Sequence, residues 1–151
     1  MKLAEALILR ADLQNRIQLL RTRLMQSATV QEGDAPPEDP ATLLADVDSS
    51  ITELQSLVAR INATNATALL PDGRSLTQAL AARDALKLRR SVLQSVVEAT
   101  SLTGPRYSKS EVRFLRTVDV PALQRQLDAL ARELRELDTA IQATNWSIDL
   151  V

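Results

Sequence analysis

The stretch INATN at Ile61–Asn65 returns as IQATN at Ile141–Asn145, eighty positions later. At the same offset, other positions of the same type also align: Asp39 with Asp119, Leu43 with Leu123, Asp48 with Asp128, Leu54 with Leu134 and Leu57 with Leu137. Self-similarity at a fixed offset indicates repeated supersecondary units. The sequence therefore predicts a single domain, 1–151, built from two similar halves, 1–71 and 81–151.

The composition indicates that these halves are helical. Apolar residues make up 45% of the chain, but it has only one Trp, one Tyr and one Phe. A core of Leu, Ile, Val and Ala suits packed helices, whereas strands favour aromatic and β-branched residues. Three glycines are also too few for the many turns of a β-rich fold. We expect an all-α protein.

Leucine-rich segments with heptad spacing predict four long helices. The first runs from about Lys2 to Ser27, and the second starts at Asp39-Pro40 and ends at Asn65. The third starts at a capping-box pattern, Ser75 to Gln78, and the fourth starts at Asp119. Two architectures fit this pattern: an antiparallel four-helix bundle, or two pseudo-repeated helical hairpins. The spacing does not choose between them.

The connections differ in character. VQEGDAPPEDP at Val30–Pro40 contains a glycine and three prolines, so it predicts an acidic loop. Residues 67–75 surround a Pro-Asp-Gly turn signal, and residues 110–118 contain alternating apolar positions. These two segments could pair as a small β-arm beside the helices.

The residue inventory excludes several function classes. The chain has no histidine and no cysteine, which removes the usual zinc sites, Ser–His triads, thiolate nucleophiles and disulfides. Its net charge of −1 gives no overall attraction to nucleic acid, and one tyrosine offers no stacking platform for bases. The sequence predicts no metal, no cofactor and no catalytic residues. It has no secretory signal and no apolar run long enough to span a membrane, so we expect a cytoplasmic protein.

One end of the predicted bundle collects polar residues that could bind an anion. If helices two and four run in the same direction, their ends meet the starts of helices one and three. Arginine and asparagine donors together can hold a carboxylate or phosphate. The candidate ligand-binding residues are Arg10, Asn62, Asn65, Arg83, Asn145 and Trp146. The alternative is that the asparagines only terminate helices.

Two arginines lie in the apolar line of helix three. Arg83 and Arg90 would need carboxylate partners if they were buried, because an unpaired buried charge is costly. The expected partners are Asp12, Asp46, Asp48 or Asp128. A structural ion pair is the interpretation that this pattern favours.

Several motifs resemble a family of small uncharacterised bacterial proteins, many of them from actinobacteria and some labelled septicolysin. The motifs that carry the resemblance are RADLQ at 10–14, VQEGDAPPEDP at 30–40, INATN at 61–65, ALAARDALKLR at 79–89, RYSKSEVRF at 106–114, TVDV at 117–120 and IQATNW at 141–146. The resemblance covers nearly the whole chain. It implies a small helical protein and, through the label, a cytolytic role.

Three functions are compatible with these features. The leucine seams with charged flanks favour a non-enzymatic helical protein that forms homo-oligomers or binds a helical partner. The septicolysin label implies instead a membrane-active protein whose hairpin opens to present an apolar face to lipid. The arginine and asparagine cluster would serve a small-anion receptor or an enzyme.

Overall fold

Four helices account for the regular structure of the protein in a computed structural model that describes residues 1–101 and 114–151. They are α1 (Leu3–Ser27), α2 (Pro40–Thr67), α3 (Leu76–Ser101) and α4 (Val120–Ser147). No strand occurs in the described part of the chain. The predicted all-α class is confirmed, and the helix limits lie within a few residues of those predicted.

Side-chain caps fix where the helices begin, as the sequence predicts. The Asp39 carboxylate accepts hydrogen bonds from Ala41 N (3.3 Å) and Thr42 N (3.1 Å), and proline occupies the first position of α2. At α3, Gln78 N donates to Ser75 Oγ (3.2 Å) while Ser75 N donates to Gln78 Oε1 (2.9 Å). These bonds satisfy amide groups that have no partner inside the helix.

The β-arm prediction is wrong for residues 67–75. Thr67 still belongs to α2, and the next residues form a tight turn in which Leu70 N donates to Arg74 O (2.8 Å). Gly73 closes the turn with φ +84°, a conformation that glycine adopts without steric cost. The turn passes directly into α3, so no length remains for a strand. Of the opposite arm, 114–118 contains no strand and 110–113 lies outside the described residues.

The helices are distributed over two compact units. Unit 1 comprises Met1–Leu69 with Gln142–Val151, and unit 2 comprises Leu70–Ile141. Helix α4 therefore contributes most of its length to unit 2 and its last turns to unit 1. The predicted repeat of 1–71 and 81–151 stays a prediction.

Unit 1 is built on the antiparallel pair α1 and α2. At one end, Arg23 near the end of α1 forms an ion pair with Glu38, just before α2 starts, and Arg23 Nε lies 2.9 Å from Glu38 Oε2. Leu13 and Leu20 of α1 and Leu57 of α2 are among the buried side chains. A two-helix pair buries only one stripe of each helix.

The other end of unit 1 holds both ends of the chain. Leu3 N donates to Ile148 O (3.0 Å) and Leu150 N donates to Met1 O (2.9 Å), which makes an antiparallel bridge between residues 2 and 149. Val151 N then donates to Thr64 Oγ1 (3.1 Å) near the end of α2. These contacts join the first and last residues to α2; we call them the terminal clasp.

Unit 2 contains α3 and most of α4. Arg83 near the start of α3 approaches Asp138 near the end of α4, with Nη1 and Oδ1 3.9 Å apart, so these helices are antiparallel. Their buried residues have the predicted heptad spacing. On α3 they are Leu76, Ala79, Leu86 and Val97, and on α4 they are Leu127, Leu130, Leu134, Leu137 and Ile141.

Acidic conditions should remove the stabilisation that the Arg23–Glu38 ion pair provides. The hydrogen bond from Arg23 lowers the pKa of Glu38 below its ordinary value of 4.5 and outweighs the opposing effect of burial. A carboxyl group with a lowered pKa stabilises the fold above its ordinary pKa, and this stabilisation is lost as the pH falls through the folded-state pKa. We therefore expect Glu38→Gln to reduce the difference in stability between pH 7 and pH 3, measured by urea denaturation.

Glu32→Gln is the matched control for this prediction. Glu32 lies in the same loop, is exposed and forms no ion pair within the described ranges. Its replacement should leave the pH dependence of the wild type intact. Equal pH dependence in the Glu38→Gln variant and the wild type would contradict the assignment.

Candidate functional site

The six residues predicted to bind a ligand are distributed over both units. Arg10, Asn62, Asn65, Asn145 and Trp146 belong to unit 1, whereas Arg83 belongs to unit 2. Within residues 1–101 and 114–151, no hydrogen bond or ion pair joins any two of them. An anion site formed by these residues stays a prediction.

Their surroundings differ as well. Asn145 is only 5% exposed and Asn65 is half-buried, whereas Asn62 is exposed and Trp146 is 56% exposed. Arg10 is half-buried, and its Nε is buried without a hydrogen-bond partner in the described chain. The six candidate residues therefore include both side chains packed in the interior and side chains on the surface.

Arg83 lies within ion-pair distance of one carboxylate on its own helix and one on α4. Its Nη2 lies 3.3 Å from Asp84 Oδ1 and its Nη1 lies 3.9 Å from Asp138 Oδ1. The partners predicted from the sequence, Asp12, Asp46, Asp48 and Asp128, are wrong. Neighbouring residues on a helix point about 100° apart, but the long arginine side chain spans that angle. Arg90 is exposed and needs no buried partner.

Each unit has a cleft among its described residues. The cleft in unit 1 has a volume of about 520 Å³ and is lined by Met1, Leu9, Ser49, Thr52, Glu53, Ser56, Leu57 and Arg60. Its hydroxyl groups have no imidazole to activate them, because the chain lacks histidine. The Nε of Arg60 is already bonded to Val151 O, at 2.7 Å. This cleft offers hydrogen bonds but no nucleophile with an adjacent base.

The cleft in unit 2, between α3 and α4, has a volume of about 400 Å³. Small apolar residues line part of it, namely Ala82, Ala85, Leu86, Leu137 and Ala140, and charged residues line the rest, namely Asp72, Arg74, Arg89, Glu133 and Glu136. Arg74 Nη2 lies 2.6 Å from Asp72 Oδ2, and this bond lowers the pKa of the Asp72 carboxyl group. Asp72 and Arg74 therefore neutralise each other in the lining of the cleft.

A surface on α3 that was not predicted from the sequence contains exposed leucine and valine. Exposed, uncharged residues recur at steps of 4, 3, 4, 3 and 4 along this helix: Ala81, Ala85, Leu88, Val92, Ser95 and Ala99. We call this set the outer α3 stripe. Leu88 is 66% exposed and Val92 is 55% exposed. Steps of three and four keep the residues on one face of a helix.

The outer α3 stripe lies opposite the buried face of the same helix. At 100° per residue, Leu88 and Val92 point about 120–180° away from Leu76, Ala79 and Val97. The helix therefore has apolar residues on two faces, and only one of them is used by the protein's own core. Surface helices usually have one apolar stripe and a polar opposite face.

The exposed lines of α1 and α4 that contain large or long side chains also contain charged or polar residues. On α4, exposed positions with the same kind of spacing carry Arg125, Arg132 and Glu136. On α1, Ile8 and Leu19 share an exposed face, but Asp12 lies between them. An exposed line of about 27 Å, at 1.5 Å per residue, that contains no charge and has leucine and valine at successive positions therefore distinguishes α3 from these two helices.

Charged residues flank the outer α3 stripe on both sides. Asp84 and Glu98 directly precede stripe residues and lie along one edge, while Arg89 directly follows Leu88 and lies along the other. An apolar seam with charged flanks is the pattern that helices use to pack against another helix. Its periodicity does not stand out in the sequence, because half of its residues are alanine, which is also common on solvent-facing helix surfaces.

Neither metal binding nor membrane spanning finds support in the described residues. No group of three or more acidic side chains there is arranged to hold a metal ion. Among the same residues, no helix combines the length and the apolar character that crossing a bilayer requires. A membrane-active role stays a prediction.

Comparison with known proteins gives a family but no activity. Residues 10–150 match the model described as "Family of unknown function (DUF6847)". The fold is also similar to the crystal structure of a functionally unknown conserved protein from Corynebacterium diphtheriae. The two chains are 37% identical, the TM-score is 0.93, and the match covers 100% of this chain and 99% of the other. No curated protein matches. The chain therefore belongs to the DUF6847 family of unknown function.

Proposed function

We propose that the protein is non-enzymatic and acts through association with another protein chain, by self-association in the first instance. The observation that supports this proposal is the outer α3 stripe, with Leu88 and Val92 exposed at its centre. Exposed apolar residues are normal when they are scattered, but a contiguous, uncharged line of them marks an interaction surface. Association would remove this surface from water.

The chemistry of the remaining surface supports a binding role over a catalytic one. The described clefts contain hydroxyl groups and paired charges, but the chain has no histidine or cysteine to activate a nucleophile. The charged partners of Arg83 also suggest a structural ion pair. A helical surface needs none of this chemistry to bind another helix.

Light scattering coupled to size-exclusion chromatography tests the proposal. The wild-type chain has a mass of 16.6 kDa, and self-association predicts a particle whose mass rises toward a multiple of this value with concentration. The double variant Leu88→Glu, Val92→Glu should remain at 16.6 kDa, because four buried charges in a dimer interface would be costly.

The matched control is Arg132→Glu, which changes the charge of the exposed face of α4. It should associate like the wild type. Circular dichroism checks that each variant keeps its helices. A wild-type particle of 16.6 kDa at every concentration would overturn self-association, and unchanged association of the double variant would show that a different surface is used.

A further inference from the structure

We infer that the outer α3 stripe packs against the same stripe of a second copy, with the two α3 helices parallel and in register. This inference rests on the proposed function and specifies the partner, the surface and the orientation. Three observations support it: the heptad spacing, the residue types at the centre of the stripe and the placement of the flanking charges.

The heptad spacing assigns the six stripe residues to the two core positions of a coiled coil. Ala85, Val92 and Ala99 fall at position a, and Ala81, Leu88 and Ser95 fall at position d. In a parallel pair, each residue meets its own counterpart, which gives layers of Val92 on Val92 and Leu88 on Leu88. A β-branched residue at a with leucine at d is the combination that favours two parallel strands.

Alanine and serine in the other layers allow the helix axes to come close. Interaxial distances depend on the size of the residues at the contact. Ala85 also lies at the edge of the cleft between α3 and α4, which has Ala82 and Ala140 among its lining residues. The surface beside the stripe is therefore also open to an approaching helix.

The flanking charges distinguish the parallel from the antiparallel arrangement. Asp84 takes heptad position g and Arg89 takes the following position e. In a parallel, in-register pair, residue g of one helix meets the following residue e of the other, so Asp84 of each copy meets Arg89 of its partner. The symmetry of the pair forms this contact twice.

An antiparallel pair that uses the whole stripe would instead bring like charges together. Pairing Ala81 with Ala99 and Leu88 with Val92 centres the contact near residue 90. Arg89 would then lie beside Arg89 of the second copy, and Asp84 beside its Glu98. Like charges at such positions destabilise helix pairs. The charge pattern therefore favours the parallel arrangement.

Cysteine cross-linking tests the orientation directly, because the chain has no cysteine of its own. Ala85→Cys and Ser95→Cys are made as two separate single variants and oxidised under mild conditions. In the parallel pair each variant cross-links to itself and migrates at twice the monomer mass, since equal positions meet. In the antiparallel pair neither does so alone, but a mixture of the two forms a mixed dimer.

A cysteine at Arg132 on the exposed face of α4 reports cross-linking by random collision and should give little dimer. The inference would be overturned if Ala85→Cys and Ser95→Cys each cross-linked no faster than Arg132→Cys. It would also be overturned if they formed a dimer only when the two variants were mixed. The proposed function would survive either result if light scattering still shows association. A wild-type monomer in light scattering would overturn both.

Charge reversal gives a second, independent readout. Asp84→Arg or Arg89→Asp alone should weaken the dimer by roughly three- to ten-fold, since each puts two like-charged pairs across the interface. The combined variant restores opposite charges and should recover most of the affinity. If the combined variant dimerised more weakly than either single variant, the Asp84–Arg89 pairing would be contradicted. This comparison holds even though a change at Asp84 also removes a partner of Arg83.

Discussion

Replacing Ile61 with alanine should lower the free energy of unfolding by about 2–5 kcal/mol, and replacing Ile141 should do the same. Each of these side chains is only 1% exposed. Truncation to alanine removes apolar surface from the interior and leaves a cavity that the surrounding helices fill only in part. Urea denaturation followed by circular dichroism measures the loss.

The pair also tests the repeat that the sequence suggests. Ile61 opens INATN and Ile141 opens IQATN, so a true repeat predicts losses of similar size at the two positions. Ile8→Ala is the matched control, because Ile8 is exposed on α1 and its truncation creates no cavity. A loss at Ile61 or Ile141 no larger than that at Ile8 would contradict their placement in the core.

Removing residues 148–151 should lower the free energy of unfolding by about 3 kcal/mol or more. This truncation deletes the terminal clasp, including the buried Leu150 and the hydrogen bonds from Leu3 N to Ile148 O and from Leu150 N to Met1 O. It also leaves the Thr64 hydroxyl without its bond from Val151 N. Burial of one leucine stabilises by about 1.5–3 kcal/mol and each hydrogen bond adds about 0.5–1.5 kcal/mol.

Asp149→Asn is the control for this truncation. It keeps the backbone of the clasp and removes the charge that pairs with Lys2 Nζ at 3.0 Å. Exposed ion pairs contribute little, so the midpoint of denaturation should barely move. If the truncated chain proved as stable as the wild type, the terminal clasp would have no structural role. Hydrogen exchange at the amide of Leu3 gives a local readout of the same change.

Much of the fold is predictable because the buried face of a helix requires apolar residues at regular intervals along the sequence. The leucine spacing located all four helices, and Asp39, Ser75 and Gln78 marked where two of them begin because caps use a small set of residues. The turn at 70–74 was also recognisable from its Pro-Asp-Gly sequence. Whether strands flank this turn depends on how soon α3 begins. Alternation of apolar and polar residues over so short a segment does not determine where a helix begins.

The candidate surface was harder to predict, for a physical reason. Helix α3 has apolar residues on two faces, and periodicity alone does not say which face the protein covers. The line through Leu76, Leu86 and Val97 was found because leucine and valine dominate it. The outer α3 stripe contains Ala85 and Ser95, which periodicity scores as neutral. Whether two side chains such as Arg83 and Asp138 come together depends on how their helices pack. The spacing of residues along one helix carries no information about that packing.

Unit 1 is built from two segments that are far apart in the sequence, and this affects when it can fold. Unit 2 is one continuous segment, Leu70–Ile141, whereas unit 1 needs Met1–Leu69 together with Gln142–Val151. Synthesis delivers α1 and α2 first, but their contacts with residues 148–151 can form only after that segment has also been made. We therefore expect unit 2 to fold from one uninterrupted segment, while unit 1 is completed only when its two separate segments have come together.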